Sequence, residues 1–217
     1  MKIKALVFTL FCLIIIACQE TEHLGPISPC NLSNIPYNPS SYTVVSPNGF
    51  PLAMEHPDDN PITVQGIELG RHLFYDPILS RDSSISCSSC HDINKAFTDG
   101  LDKSVGIDNR VARRSSMSLI NIGYSWIKSR EYNFMWDGRF ATLEEQIIKG
   151  PIEAPLEMDN TWEKATEDLR QHPIYPKMFR KAFGINCSDE ISKELVAKAI
   201  AQFERTLNSA NSKYDEV

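Results

Sequence analysis

The sequence predicts a mainly α fold with long loops and an extended N-terminal arm. Three observations predict it. Apolar residues recur at helical spacing from residue 63 onward, capping residues stand before those stretches, and no stretch alternates persuasively with a period of two. The arm is read from Pro26, Pro29, Pro36, Pro39, Pro47, Pro51, Pro57 and Pro61. Proline removes backbone donors and biases its neighbours to extended shapes, so residues 19–61 read as a tether and then a wrapping arm with little regular structure.

The elements follow in order. After Thr63, Ile67, Leu69, Leu73 and Phe74 fall near one helical face, and Asp76-Pro77 should stop that helix. Residues 92–114 are polar, contain Gly100 and Gly106, and read as loop. Residues 115–123 read as a short helix. Thr142-Leu143-Glu144-Glu145 is a capping box for a helix ending near Gly150-Pro151. Asn160-Thr161-Trp162-Glu163 caps another, running to Gln171. Pro173 suits the first position of the next, which should end at Gly184. Ser188 caps the last and longest helix, with Ile191, Leu195, Val196, Ile200, Phe203 and Leu207 on its apolar face. There is no internal repeat.

Net charge is −6 with interspersed charges. No basic run and no aromatic residues interleaved with Lys/Arg are present, which argues against a nucleic-acid partner. The N-terminus is more informative. Lys2 and Lys4 precede an apolar run from Ala5 to Ala17, broken only by Thr9 and Cys12. That run is too short for a mature membrane helix and fits the core of a signal peptide. It ends Ile15-Ile16-Ala17-Cys18, which resembles a bacterial lipobox with Cys18 as the lipidated residue; the alternative is a plain signal peptide cleaved nearby. Either exports the chain. The expected organisation is a signal peptide over 1–17, tether and arm over 18–60, a domain over 61–207, and 208–217 beyond it. The expected location is the periplasm or cell envelope, with a lipid anchor as the membrane attachment. An acidic exported protein can attract a basic partner such as a small cytochrome.

Six cysteines remain to be placed. Cys12 leaves with the signal and Cys18 is the lipidation candidate. Cys30 and Cys187 are either a disulfide or two unpaired thiols. Cys87-Ser88-Ser89-Cys90-His91 is a C-x-x-C-H sequence, the signature of covalent c-type haem attachment. One turn of chain lets two thiols reach the haem vinyl groups and brings His91 under the iron as proximal ligand. A redox C-x-x-C would need a βαβ context. A zinc site would need a second ligand pair, and His23, His56, His72 and His172 are scattered singly. The reading is therefore a cytochrome c-like haem domain with one covalent haem c. Met54, Met117, Met135, Met158 and Met178 are candidates to close the sixth position, each of them more often core than ligand.

Beyond that motif lie Gly66-Ile67-Glu68-Leu69-Gly70-Arg71-His72-Leu73-Phe74-Tyr75-Asp76-Pro77, Leu79-Ser80 and Ile85-Ser86, then Ala96-Phe97-Thr98-Asp99-Gly100 and Ser104-Val105-Gly106. Trp136-Asp137-Gly138-Arg139 and Gly150-Pro151 followed by Glu157-Met158 complete the set. In this order they resemble the bacterial di-haem cytochrome c peroxidases, including MauG-like proteins, from residue 61 to the C-terminus. The resemblance implies an all-α protein of two haem domains, often dimeric, whose N-terminal haem reacts with hydrogen peroxide. Its C-terminal haem takes electrons from a cytochrome c or similar donor. It makes Trp136 the residue between the haems and Glu157 the distal acid/base. Gln146 is nearest to the distal Gln, one residue further from Gly150-Pro151 than usual. Taken alone, Trp136 would be a buried anchor and Glu157 a solvated carboxylate.

The sequence departs from the family pattern in three places. Ile107 stands where many members carry a removable distal His, and the loop from Ser104 to Arg114 has none, so the resemblance implies a permanently open peroxidatic haem. Arg114 is followed by Ser115 rather than the Asn that helps hold an interdomain calcium, which puts calcium in doubt. The chain stops after Phe203-Glu204-Arg205-Thr206-Leu207 with no second C-x-x-C-H, and Asn211-Ser212-Lys213-Tyr214-Asp215 looks like the middle of a protein. The expectation is a truncated chain, or a half served by a separate donor. Arg139, Arg113 and Arg114 are candidates to pair with haem propionates. The rival to a peroxidase is a mono-haem electron carrier without catalysis.

Overall fold

In the computed structural model, residues 30–51, 54–125 and 134–213 are described; residues 1–17 and Cys18 lie outside them. Helix α1, Val64–Tyr75, starts where the Thr63 hydroxyl accepts from the Gly66 amide, and it ends at the extended Asp76 before Pro77. It buries Leu69, Leu73 and Phe74. Helix α2, Cys87–Cys90, is the single turn of the C-x-x-C-H segment. Helix α3, Leu143–Lys149, is capped by Thr142, and α4, Trp162–Gln171, by Thr161. Helix α5, Tyr175–Phe183, ends at Gly184 in the left-handed region (φ 76°), where a Cβ would be strained. Helix α6, Lys193–Glu204, packs across α1. The described residues contain isolated β-bridges and no β-strand, so the fold is mainly α.

The α1–α6 approach depends on small residues. A Cβ on Gly70 would strike the Ala199 carbonyl oxygen, and one on Gly66 would strike the Gln202 side chain. Leu69, Leu73, Phe74, Val196, Ile200 and Phe203 fill the space so closed. Burial of each such side chain is worth about 1.5–3 kcal/mol.

Three expected boundaries move. Residues 115–121 are not helical; only Ile122–Ser125 forms a 3-10 turn. The Ser116 hydroxyl accepts from the Asp99 amide, and the Ser118 hydroxyl donates to the Ala96 carbonyl. Such side-chain bonds compete with a helical backbone. Pro173 lies ahead of α5, whose first turn instead contains Pro176. Ser188 opens a separate 3-10 turn, Ser188–Glu190, because Glu190 turns back to accept from the Asn186 and Cys187 amides; Ser192 caps α6.

The described part of the arm is pinned at several points. Cys30 and Cys187 form a disulfide, Leu32 is buried in the core, and the Leu32 amide donates to the Asn186 carbonyl. The Arg180 guanidinium holds the Ile35 carbonyl, and Tyr42 and Val64 pair with Ile62 and Ser40. A buried polar network fixes the end of the arm. Arg205, 1% exposed, donates twice to Glu144 (2.7 and 3.0 Å). Asn60 donates to Glu144, Gln202 donates to Asn60 (2.8 Å), and the Thr63 amide donates to Gln202 (2.9 Å). Within the described residues no helix is long and apolar enough to cross a membrane.

Glu204 sits beside that network, and its Oε2 is buried with no hydrogen-bond partner among the described residues. Burial pushes its carboxyl up to about 8; Arg205 pulls it down and Glu144 pushes it further up. The folded chain therefore holds a proton at Glu204 that the unfolded chain has lost above its ordinary carboxylate range. Stability should fall as pH rises from that range to about 8 and level off beyond it. Chemical denaturation of parent and Glu204→Gln protein across that window tests this. The variant's midpoint should lose that slope, and an unchanged slope rejects Glu204 as its source.

Candidate haem-binding site

The site is built on α2 and the loops around it. Ser86 and Ser89 cap the turn reciprocally, which presents Cys87 and Cys90 one helical turn apart, both as free thiols and both half-buried. Burial pushes the Cys87 thiol far up, reinforced by the charges of Glu204 and Glu157. Cys90 is pushed up to about 11 by burial first, then by Asp99 and Glu157. A redox C-x-x-C needs the opposite, a depressed thiol. The described residues hold no group of three or more His, Cys, Asp or Glu placed for a metal ion, so the two thiols have no zinc-site partners there.

His91 closes the turn. Its Nδ1 lies 2.8 Å from the Phe97 carbonyl oxygen. A ring that donates there is fixed in the tautomer that leaves Nε2 as a ligand. Burial pulls its pKa down against the opposing pull of the Phe97 and Met117 carbonyls and of Asp99, which favours the neutral, ligating form. The Phe74 ring lies tilted against it, 6.4 Å between centroids, and Phe97 and Phe203 pack on Phe74 in edge and tilted contact. Two side-by-side thiols and one oriented imidazole are the donor set that a covalent haem requires.

Glu157 is half-buried in the loop between α3 and α4, and its charge is felt at both cysteines. Burial raises its carboxyl above the ordinary range, so it is not the simple solvated carboxylate that it would be taken for alone. Ile107 is buried, and its amide donates to the Glu157 carbonyl (2.9 Å). Gln146, on α3, donates from Nε2 to the Met135 sulfur at 3.8 Å and lies against Gly150.

Trp136 stands on a tight loop closed by Phe134–Phe140 pairing and by Gly138 with positive φ. It is 54% exposed, not a buried anchor, and its Nε1 donates to the Ser115 carbonyl (3.0 Å). Arg139 is exposed and engaged twice by Asp137 (2.8 and 2.7 Å). Arg113 and Arg114 are exposed. Met158 is core, while Met135 and Met178 pack against it; Met54 is buried against Gly123, and Met117 meets His91 through its backbone.

Asp99 stands in the sequence only as one member of the Ala96–Gly100 stretch, with no role of its own, yet it is buried beside His91 and Cys90. Burial raises its carboxyl, but the hydrogen bond from the Leu101 amide and the neighbouring Ser104 and Ser116 hydroxyls outweigh that and hold it below the ordinary range. Arg81, Asp108, Arg110 and Asp159 were missed as well. They lie far apart in sequence, so no local pattern joins them.

Helical packing around a one-turn Cys-x-x-Cys-His segment, with the histidine held through Nδ1 at the Phe97 carbonyl, defines a protein of the c-type haem class. The model of the di-haem cytochrome c peroxidase family matches residues 64–217, and the chain belongs to that family. It is 36% identical over 165 residues to methylamine utilization protein MauG of Methylorubrum extorquens, covering 76% of this chain and 44% of that protein. It is 38% identical over 149 residues to cytochrome c551 peroxidase of Nitrosomonas europaea, covering 69% of this chain and 42% of that protein. A crystal structure of a MauG-like protein associated with microbial copper homeostasis superposes with a TM-score of 0.71 at 31% identity, covering 81% of this chain and 49% of that one. The chain thus spans somewhat under half the length of these curated relatives.

Proposed function

We propose that this chain forms the peroxide-reducing haem domain of an exported enzyme, held at the cell envelope by lipid on Cys18. Cys87 and Cys90 hold one haem by thioether bonds and His91 ligates its iron. When bound, the haem supplies the redox centre at which peroxide takes up electrons. Glu157 takes the proton from the near oxygen of hydrogen peroxide and delivers it to the far one, so that water can leave. In balance, peroxide accepts two electrons and two protons and becomes two waters, the electrons coming from a cytochrome c or similar donor. Trp136, exposed and fixed on the Ser115 carbonyl, offers those electrons an entry point. Gln146 would stand on the peroxide side of a bound haem, and Arg139 and Arg114 would be available to its propionates, Arg139 only by leaving Asp137.

The observation that carries this reading is the half-buried, upward-shifted Glu157 carboxyl beside the haem-attachment turn, with apolar Ile107 in the adjoining loop in place of a titratable ligand. Expression in a host that attaches haem c should give a chain heavier by one haem, with a high-spin ferric spectrum. Reduced cytochrome c should be oxidised when peroxide is added. A colourless chain without added mass rejects the reading. A low-spin spectrum with a methionine-to-iron band identifies an electron carrier instead.

A further inference from the structure

Three chain segments meet at Glu157. Arg81 follows the turn that leads into α2, Asp108 and Arg110 flank the tip of the loop carrying Ile107, and Asp159 stands two residues after Glu157. Their side chains close a ring of alternating charge. Asp108 Oδ2 accepts from Arg81 Nη2 at 2.6 Å and from Arg110 Nη2 at 2.9 Å. Asp159 Oδ2 accepts from Arg110 Nη1 at 2.8 Å and also from Arg81 Nη1, which completes the circuit. Arg110 Nη1 further donates to the Pro155 carbonyl at 2.8 Å. One guanidinium therefore grips the chain on both sides of Glu157.

The backbone repeats the pattern. The Ile107 amide donates to the Glu157 carbonyl (2.9 Å) and the Arg81 amide to the Met158 carbonyl (3.0 Å). Gly106 packs so close that a Cβ there would strike the Leu156 carbonyl oxygen and press on the Glu157 Cα. Asp108 (φ 54°) and Asp159 (φ 49°) both occupy the left-handed region. Residues other than glycine keep that conformation where their surroundings hold it. The ring residues are half-exposed, and ion pairs of that kind add little to global stability. A closed circuit across three segments has another use, which is to fix where the backbone between them runs.

We infer that Arg81, Asp108, Arg110 and Asp159 are positioning residues that hold the Glu157 carboxyl in register with the haem-attachment turn. The inference rests on the proposed role of Glu157 in moving peroxide protons. Asp108→Asn is the discriminating variant: it keeps the shape, tolerates positive φ and removes the charge. Haem content and thermal midpoint should stay near those of the parent. The second-order rate at which peroxide changes the ferric absorbance should fall by about 10-fold or more, towards the ~10²-fold that a misplacement of about 1 Å can cost. Hydrogen–deuterium exchange at the Ile107 amide should accelerate. Arg110→Lys, which keeps the charge but cannot bridge Asp108, Asp159 and Pro155 together, should behave alike. Rates within about two-fold of the parent in both variants overturn the inference, provided that Glu157→Gln is slow in the same assay. A Glu157→Gln protein as fast as the parent overturns the functional reading itself.

Discussion

The reaction of the haem-loaded Glu157→Gln protein with peroxide is expected to be slower than that of the parent by about 10²–10⁴-fold, the range that a positioned proton-transfer group contributes. Glutamine keeps the length and planarity of the side chain but cannot carry a proton from one peroxide oxygen to the other. The loss should therefore appear without a change in haem content or fold. The pH profile carries the sharper test. The base form of Glu157 is the carboxylate, and burial raises its pKa. The parent rate should climb with pH through that displaced titration, above the ordinary carboxylate range, whereas the variant should be flat there. Stopped-flow absorbance of the ferric haem after mixing with peroxide measures both. A variant that keeps the parent rate, or keeps the pH step, removes Glu157 from the chemistry.

How far the sequence shows this site depends on how local each signal is. Cys87, Cys90, His91 and the helices capped by Thr63, Thr142 and Thr161 are readable because each is specified within a few neighbouring residues. The start of α6 was displaced from Ser188 to Ser192, since two serines stand at plausible capping positions and only the folded Glu190 side chain decides between them. The Cys30–Cys187 pairing was open, because its two halves are brought together by the arm's path over α5 and not by anything near either cysteine. The ring beside Glu157 was invisible for the same reason. Its four residues belong to three separate segments, and each alone looks like an ordinary surface charge.

The buried pair of Arg205 and Glu144 should dominate the stability of this domain. Arg205→Met keeps most of the apolar stem and removes the guanidinium, leaving the Glu144 carboxylate buried with Asn60 as its remaining donor. Stranding one partner of a buried pair costs about 3–5 kcal/mol. For a chain of this size that corresponds to a thermal midpoint lower by on the order of 10 °C. The sign of its pH dependence follows from Glu144. Burial raises that carboxyl, but Arg205 and Asn60 outweigh burial and hold it below its ordinary range. In the parent this contribution is present above the ordinary carboxylate pKa and is lost as pH falls through the lowered one. The variant should thus be most inferior at neutral pH, and the gap should narrow in acid, where Glu144 can take up a proton and shed its uncompensated charge. Replacing both partners, as Arg205→Met with Glu144→Leu, should recover part of the loss, because an apolar pair carries no desolvation penalty. A single variant as stable as the parent, or a double variant worse than the single, would mean that the pair is not what holds α3 against α6.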